Sequence, residues 1–257
     1  MKRQIAITDL TRMRVPNVCI AGYTKDGACL RPIVPFRGIP EWFLRKDDRL
    51  IIRPFAVVEF DFVCPVLEAP HTEDWEIDRF HRRLITAQLP EEKKLRLLEK
   101  TASDSVAEIF GAKIHSDFGF YVQAGEGERS LGTICPAEIT SLVYELKYNG
   151  KWDYRIVFKD QGAQTYRLAI TDLTYRHYLD YGRIRLNYPL DELVSRLTRA
   201  FNQRTTFLRI GLARLWEKFP DRCYLQVTGI YTFPDYLSGR TFTDFAVPRH
   251  VEDAQEP

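Results

Sequence analysis

Long apolar runs and paired cysteine motifs are both missing from this chain of 257 residues. No stretch approaches the roughly 18 consecutive apolar residues of a membrane-spanning helix, and the N-terminal residues turn polar before a signal-peptide core could form. We therefore expect a cytoplasmic protein with no membrane partner. The cysteines number five, are scattered and form no C-x-x-C pair, which argues against a disulfide framework and against a zinc ribbon.

The short motifs of common enzyme classes are missing as well. The sequence contains no G-x-x-x-x-G-K-[ST] loop, no G-x-G-x-x-G motif before a helix and no G-x-S-x-G elbow. These absences argue against the usual nucleotide hydrolases, dinucleotide-binding enzymes and serine hydrolases, so we expect no cofactor and lean against catalysis. The net charge of +2 permits nucleic-acid binding but does not by itself indicate it.

The chain does contain one six-residue word twice. Residues 6–11 and residues 169–174 both spell AITDLT, and such a long repeat indicates two related structural units. Each aspartate could close a turn by accepting hydrogen bonds from nearby backbone amides. Alternatively, both copies line one shared groove and contact a ligand there. The candidates for that groove are Thr8, Asp9, Thr171 and Asp172.

Hydrophobic patterning predicts a mainly β fold with inserted helices. Short alternating segments punctuated by proline predict a β-unit over residues 1–68. Apolar spacing from Glu73 and an acidic first turn after Pro90 predict two helices over about 73–110. Further on, Asn149-Gly150 predicts a type I′ hairpin, and the apolar spacing after Pro189 predicts an amphipathic helix.

These elements suggest two OB-like barrels packed into one compact unit. The number of strands in each half matches the five-stranded barrel of the OB fold. We expect the first unit, with its helical connection, over residues 1–140 and the second unit over 141–248. Residues 249–257 are expected to form a disordered tail.

Tyrosine and arginine alternate through the segment YRHYLDYGRIRLNY at residues 175–188. Rings that stack on bases, interleaved with guanidinium groups that meet phosphates, are typical of a surface that binds single strands. Residues 175–222 carry a net charge of roughly +5, so basic charge is concentrated in this part of the chain. The alternative is that the tyrosines fill a barrel while the arginines are merely solvated. The candidate nucleic-acid contacts are Tyr175, Arg176, Tyr178, Tyr181, Arg183, Arg185, Arg209 and Arg214.

One segment, PHTEDWEIDRFH, is dense in side chains able to bind a metal. His71, Glu73, Asp74 and His81 are suitable ligand types, but their spacing matches no known metal motif. The same segment could equally be the start of a helix, with Thr72 as the capping residue and acidic residues in the first turn. We therefore predict no metal and keep this set as the alternative.

Several segments resemble the prokaryotic dual OB-containing domain family. They are AITDLTRM, DGACLRPI, PHTEDW, GTICPAEI and FLRIGLARLW with CYLQVTGIYTFPDYL, and together they span nearly the whole chain. The resemblance implies two OB folds in one compact unit and a ligand related to nucleic acid or nucleotides. It implies no particular catalytic residues.

Composition, motifs and resemblance together lead to one main functional hypothesis. We expect a non-catalytic module that binds single-stranded DNA or RNA, or a nucleotide-like ligand, across the surface of residues 175–185. A metal-dependent nuclease or phosphodiesterase is the first alternative. An adaptor subunit that binds an operon-encoded protein partner within a nucleic-acid-processing or defence complex is the second.

Overall fold

The computed structural model describes residues 1–35, 38–78, 80 and 83–247. Extended strands dominate it, as the alternating sequence pattern predicts. The strands of the first unit are β1 (Lys2–Arg12), β2 (Asn17–Tyr23), β3 (Cys29–Ile33), β4 (Ile39–Pro40), β5 (Arg45–Lys46), β6 (Arg49–Leu50), β7 (Ala56–Pro65), β8 (Asp74–Ile77) and β9 (Leu84–Gln88).

Five strands of the first unit close into a barrel. β1 pairs with β2, β2 with β3, β3 with β8, β8 with β7, and β7 returns to β1. The β3–β8 pairing is parallel and the other four are antiparallel. This strand order is that of an OB barrel, which removes the free edges of its sheet by closure.

The second unit repeats the same strand order without full closure. Its strands are β10 (Ala102–Ser103), β11 (His115–Ser116), β12 (Phe120–Gln123), β13 (Leu131–Ile134), β14 (Glu138–Leu146), β15 (Trp152–Lys159), β16 (Thr165–Ile170), β17 (Thr205–Leu212) and β18 (Arg222–Phe233). The order β14-β15-β16-β18-β17 contains a parallel β16–β18 pair, and β17 continues to β13 and β10. The mainly β fold with two OB-like units is therefore confirmed. The two sheets divide between β9 and β10, and the boundary at residue 140 stays a prediction.

Three helices accompany the strands in the described part of the chain: α1 (Glu91–Thr101), α2 (Leu173–Ile184) and α3 (Leu190–Asn202). Short 3-10 helices occupy Glu41–Leu44 and Phe242–Phe245. The predicted helix after Pro189 is confirmed as α3. It covers the edge of β14, where the Asn202 side chain donates to the Ile139 carbonyl at 2.7 Å and accepts from the Ile139 amide at 3.0 Å. The described helices include none long and apolar enough to cross a membrane.

The prediction of the first of the two helices over 73–110 is wrong. Residues 74–77 and 84–88 are strands β8 and β9, and the described part of the predicted apolar face is largely solvent-exposed, with Phe80 at 83% and Leu84 at 39%. Pairing with β3 and β7 overrides the helical spacing, because tertiary contacts outweigh a short periodic pattern. The second predicted helix is confirmed as α1 but ends at Thr101.

Side chains from the second unit complete the core of the first. Leu173 at the start of α2 and Phe242 in the C-terminal 3-10 helix are both buried in the barrel core of β1–β8. Leu98 of α1 is buried against Phe55 of the first unit and Phe207 of the second. Each fully buried leucine contributes about 1.5–3 kcal/mol. These contacts join the two units into one packed body.

The hairpin between β14 and β15 is confirmed, but its turn differs from the predicted type I′. The Gly150 amide donates to the Lys147 carbonyl at 3.0 Å, and Gly150 has a φ of 78°. Tyr148 and Asn149 are therefore the central residues of a turn that is followed by one left-handed glycine. This is the three-residue hairpin loop with a bulge.

Substituting Gly150 tests that assignment. Gly150→Ala should lower the free energy of unfolding by about 1 kcal/mol, because a Cβ disfavours the left-handed backbone. Gly150→Asn should lower it less, since asparagine tolerates this region better. Urea denaturation of the three proteins measures the differences. Equal stability of the alanine variant and the wild type would contradict the left-handed assignment.

Candidate functional site

The two copies of the AITDLT word lie side by side where the units meet. The amide of Arg12 donates to the carbonyl of Thr171 at 2.8 Å, and Thr11 forms an isolated bridge with Asp172. Strand β18 contacts both aspartates: Thr228 Oγ1 donates to Asp9 at 2.6 Å, and the Ile230 amide donates to Asp172 at 2.9 Å. The repeated residues therefore form part of the contact between the two units.

Asp9 holds a fully buried arginine. It lies inside β1, next to a bulge between Ile7 and Asp9, and does not end its strand as a turn-closing residue would. The Arg209 Nη2 and Nε atoms donate to its carboxylate at 2.9 and 3.0 Å, and Arg209 Nη1 donates to Tyr23 and Thr133 at 2.7 and 2.8 Å. Burial disfavours the charged form of Arg209, but Asp9 raises its pKa well above the ordinary value. Arg209 is thus an internal charge, and its predicted role as a surface nucleic-acid contact is wrong.

Asp172 begins α2. Its Oδ1 atom accepts from the Thr174 and Tyr175 amides at 2.8 and 3.1 Å, which is the geometry of a helix N-cap. Burial raises the pKa of Asp172 to about 6, although the amides of Tyr175, Ile230 and Thr174 oppose that shift. These contacts therefore agree with the turn-closing role predicted for Asp172.

The predicted tyrosine-arginine surface is mostly turned inward. Residues 173–184 form helix α2, which the sequence analysis did not predict, and Tyr175 lies on its buried face with 0% exposure. Tyr178 packs edge-on against Phe245, with the ring centroids 5.1 Å apart, and Tyr181 packs against the same ring at 5.8 Å. These rings fill space in the protein, so the prediction of an open stacking surface on them is wrong.

The arginines of the same segment are largely engaged with neighbouring side chains. The Arg176 guanidinium lies 4.5 Å from the Tyr154 ring centroid, and that of Arg183 lies 4.0 Å from the Trp152 centroid. Arg185 follows the helix and is exposed. Of these three arginines, only Arg185 is exposed, as we expect of a residue that contacts nucleic acid.

The described residues of the metal-capable segment do not converge on a metal site. Glu73 accepts from the Ser130 amide and hydroxyl at 2.7 and 2.9 Å, while Asp74 pairs with Arg31 at 2.5 Å and also with Arg214. Burial, with the charges of Arg31 and Arg214, lowers the pKa of His71 to about 2. His81 lies outside the described residues. The described residues contain no group of three or more side chains suited to a metal ion.

Thr72 does not cap a helix either. Its hydroxyl donates to the Glu128 carbonyl at 2.6 Å. The residues that follow it form strand β8 instead of a helix. The predicted helix cap at this position is therefore wrong. The segment instead forms a strand that brings its acidic residues against the second unit.

The larger of two cavities described here opens between the units and has a volume of about 460 Å³. We call it the inter-unit cleft. Its walls include Phe55 and Lys94 on one side and Asp172, Tyr231, Tyr236 and Arg240 on the other.

Three cationic side chains border the inter-unit cleft: Arg53, Lys94 and Arg240. Within the described part of the chain, none of them forms an ion pair with a carboxylate. Arg53 Nε donates to the Gln88 side chain at 3.0 Å, and Arg240 Nε donates to the Leu237 carbonyl at 3.1 Å. Their charges are therefore available to an anionic ligand.

The acidic residues of the cleft wall face their own backbone. Asp235 accepts from the Leu237 and Gly239 amides at 2.9 and 2.7 Å, and Asp244 accepts from the Thr241 amide at 2.7 Å. Like Asp172, they shape turns and helix starts and form no ion pair with the three cations among the described residues.

Two buried hydroxyls in the cleft wall are without hydrogen-bond partners among the described residues: Thr174 Oγ1 and Tyr236 Oη. Thr174 is 4% exposed. Buried polar atoms are normally hydrogen-bonded. Both oxygens are enclosed by protein atoms, so a ligand in the cleft would reach them only if these side chains rotated. Phe55 and Tyr231 stand beside them as an aromatic pair, with centroids 4.5 Å apart.

The smaller cavity, of about 210 Å³, we call the arginine pocket because Arg12, Arg14, Arg31 and Arg214 all line it. Asp9 lines the arginine pocket, whereas Asp172 lines the inter-unit cleft. The prediction that both aspartates face one shared groove is therefore wrong.

Each copy of the word contributes two residues to the wall of a different cavity. The residues involved are the aspartate and the final threonine: Asp9 and Thr11 in the arginine pocket, Asp172 and Thr174 in the inter-unit cleft. The other two candidates are used internally. The Thr8 hydroxyl donates to Asp9 at 2.8 Å, and the Thr171 hydroxyl donates to the Val227 carbonyl at 3.2 Å.

Sequence analysis missed the cationic and aromatic residues of the cleft. Arg53, Lys94 and Arg240 come from three distant parts of the chain, so no local pattern connects them. The repeat was the available signal, since Thr174 is its last residue.

Comparison with known proteins identifies the family. A family model described as the dual OB-containing domain matches residues 10–230. Neither the curated proteins nor the solved structures include a significant match. The family match runs from β1 into β18 and therefore includes strands of both barrels. The chain belongs to the dual OB-containing domain family.

Proposed function

We propose that this protein binds single-stranded nucleic acid and takes one nucleotide of the strand into the inter-unit cleft. The observation that supports this most directly is a cleft bordered by three cations that form no ion pair within the described part of the chain, beside the rings of Tyr231 and Tyr236. Cationic side chains attract the phosphate backbone, and aromatic rings stack on bases of any identity. OB folds commonly bind oligonucleotides.

The dimensions of the cleft suit this ligand. A volume of about 460 Å³ falls within the roughly 300–1,000 Å³ of small-molecule pockets. The unpartnered hydroxyls of Thr174 and Tyr236 could bond to the polar edge of a base or to a sugar. Lys94 and Arg240 would meet the phosphates at the rim.

The alternatives from the sequence have less support. A metal-dependent nuclease or phosphodiesterase would need convergent ligands, whereas Glu73 bonds to Ser130 and Asp74 pairs with two arginines. An adaptor that binds an operon-encoded protein stays a prediction without a particular surface.

Removing two of the rim cations should weaken binding. We expect Lys94→Gln combined with Arg240→Gln to reduce the affinity for a fluorescein-labelled oligothymidine about tenfold at moderate salt. The slope of log affinity against log salt should fall by about 1.4, since each lost phosphate contact removes about 0.7. Fluorescence anisotropy at several salt concentrations measures both quantities.

The matched control removes the same charge elsewhere. Arg96→Gln combined with Arg185→Gln alters two exposed arginines, the second of them in the segment first predicted to bind nucleic acid. This control should bind like the wild type. Equal losses in the two double variants would mean that total charge, not the cleft, drives binding. The absence of salt-sensitive binding by the wild type at micromolar protein would also overturn the proposal.

A further inference from the structure

The arginine pocket is a separate cavity on which both units converge. Residues of β1 and β2, with Arg31 of β3, form the wall from the first unit. The wall from the second unit includes Leu212, Arg214 and Thr228. Its volume of about 210 Å³ is below the usual range for drug-sized ligands, so it suits a small ion or a single chemical group.

Four arginines and one carboxylate are among the described residues that line this pocket. The carboxylate among its described lining residues, Asp9, is already engaged by the buried Arg209. Asp74 lies behind the wall and is shared by two guanidinium groups, those of Arg31 and Arg214. Glu73 is a second buried carboxylate close enough to help raise the pKa of Arg31. Arg12 pairs with Glu41 at 2.8 Å and also contacts His177.

Arg31 has unused hydrogen-bonding capacity. Its side chain is 4% exposed, and its Nε atom donates to Asp74 at 2.5 Å. Its Nη2 atom is buried and has no hydrogen-bond partner among the residues that the structure describes. An unsatisfied buried donor is unfavourable, and more so when it is charged, so an acceptor that reached this atom would be favoured.

Two histidines next to the same arginines are held neutral. Burial, with the charges of Arg31 and Arg214, lowers the pKa of His71 to about 2. Burial, with the charge of Arg12, lowers the pKa of His177 to about 4. Burial is the larger cause of both shifts, and the neighbouring arginines act in the same direction.

We propose that the arginine pocket binds a phosphate group. Guanidinium groups match the geometry of phosphate oxygens and donate paired hydrogen bonds to them. The phosphate could be free in solution or the terminal phosphate of an oligonucleotide, since both present the same tetrahedral dianion. This site goes beyond the function proposed for the inter-unit cleft, and neither depends on the other.

Inorganic phosphate is the first probe. Isothermal titration of the wild type at constant ionic strength should show saturable binding of phosphate, and the melting temperature should rise with phosphate but not with chloride. Arg214→Gln should weaken phosphate binding at least tenfold, because it removes a half-exposed guanidinium from the rim. Arg31→Lys keeps a positive charge beside Asp74 but removes the fork, and should also weaken binding.

Two further measurements separate the sites and the sources of phosphate. Lys94→Gln with Arg240→Gln should leave phosphate binding unchanged, because both residues line the other cavity. A 5′-phosphorylated oligothymidine that competes with inorganic phosphate, where its unphosphorylated form does not, would identify a terminal phosphate as the ligand. Competition by neither oligonucleotide would identify the free ion.

The proposal is overturned if the wild type shows no saturable phosphate binding at millimolar concentration. It is equally overturned if folded Arg214→Gln binds phosphate as tightly as the wild type. Neither result would change the expected affinity of the inter-unit cleft for oligonucleotides. One proposal can therefore be contradicted while the other stands.

Discussion

Asp9→Ala should lower the free energy of unfolding by about 3–5 kcal/mol, because it leaves a charged guanidinium buried without its partner. Arg209 is 0% exposed and lies between the two units. The remaining partners of Arg209, Tyr23 and Thr133, are neutral. Such a loss is a large fraction of the stability of an ordinary domain.

Guanidinium chloride denaturation of single and double variants measures this coupling. Asp9→Leu with Arg209→Met removes both charges and should cost less than the sum of the two single changes. Glu92→Ala is the control, since it breaks an exposed ion pair on α1 and should change stability little. A loss below about 1 kcal/mol in Asp9→Ala would mean that the charge of Arg209 is not held by Asp9.

The stability of the wild type should fall as the pH rises from about 4 to about 6 because of Asp172. Burial raises the pKa of this carboxyl to about 6 in the folded protein, whereas an unfolded aspartate titrates near 3.9. Between those values the folded state binds more protons than the unfolded state, so raising the pH favours unfolding. The shift of about two units corresponds to roughly 3 kcal/mol.

Asp172→Asn isolates this contribution, because an amide does not titrate. The stability difference between wild type and variant should decrease from pH 4 to pH 6 and then stay constant, as measured by urea denaturation at each pH. At pH 7 the variant should also lose about 1–3 kcal/mol, since an amide cannot accept from Thr174, Tyr175 and Ile230 together. Asp191→Asn, on an exposed position of α3, should leave the profile unchanged. A difference that rises with pH would contradict the assignment.

Local sequence signals predicted the elements that depend on local interactions. The acidic first turn of α1, the apolar spacing of α3 and the Asn149-Gly150 pair were sufficient to locate two helices and a hairpin. They failed where pairing with a distant strand decides the structure. The spacing of Ile77, Phe80 and Leu84 resembles that of a helix. The segments around them instead form strands that pair with β3 and β7.

The tyrosines of α2 show why the candidate site was placed wrongly. Tyr175, Leu179 and Gly182 follow helical spacing and are buried, so a composition that resembles a nucleic-acid surface in fact fills a core. The repeated word predicted one shared groove, whereas its two copies line different cavities, Asp9 and Thr11 in one and Asp172 and Thr174 in the other. The cations that complete the cleft depend on how the two units dock, which no local pattern encodes.

Leu173 and Phe242 have a consequence for how this protein could have evolved. Both are encoded with the second unit, yet both are buried in the core of the first. A gene fragment for the first barrel alone would lack part of its own interior and would expose the cavity to water. The module that can be inherited, shuffled or fused to another protein is therefore the pair of barrels, and the repeated word lies at the junction that keeps the pair together.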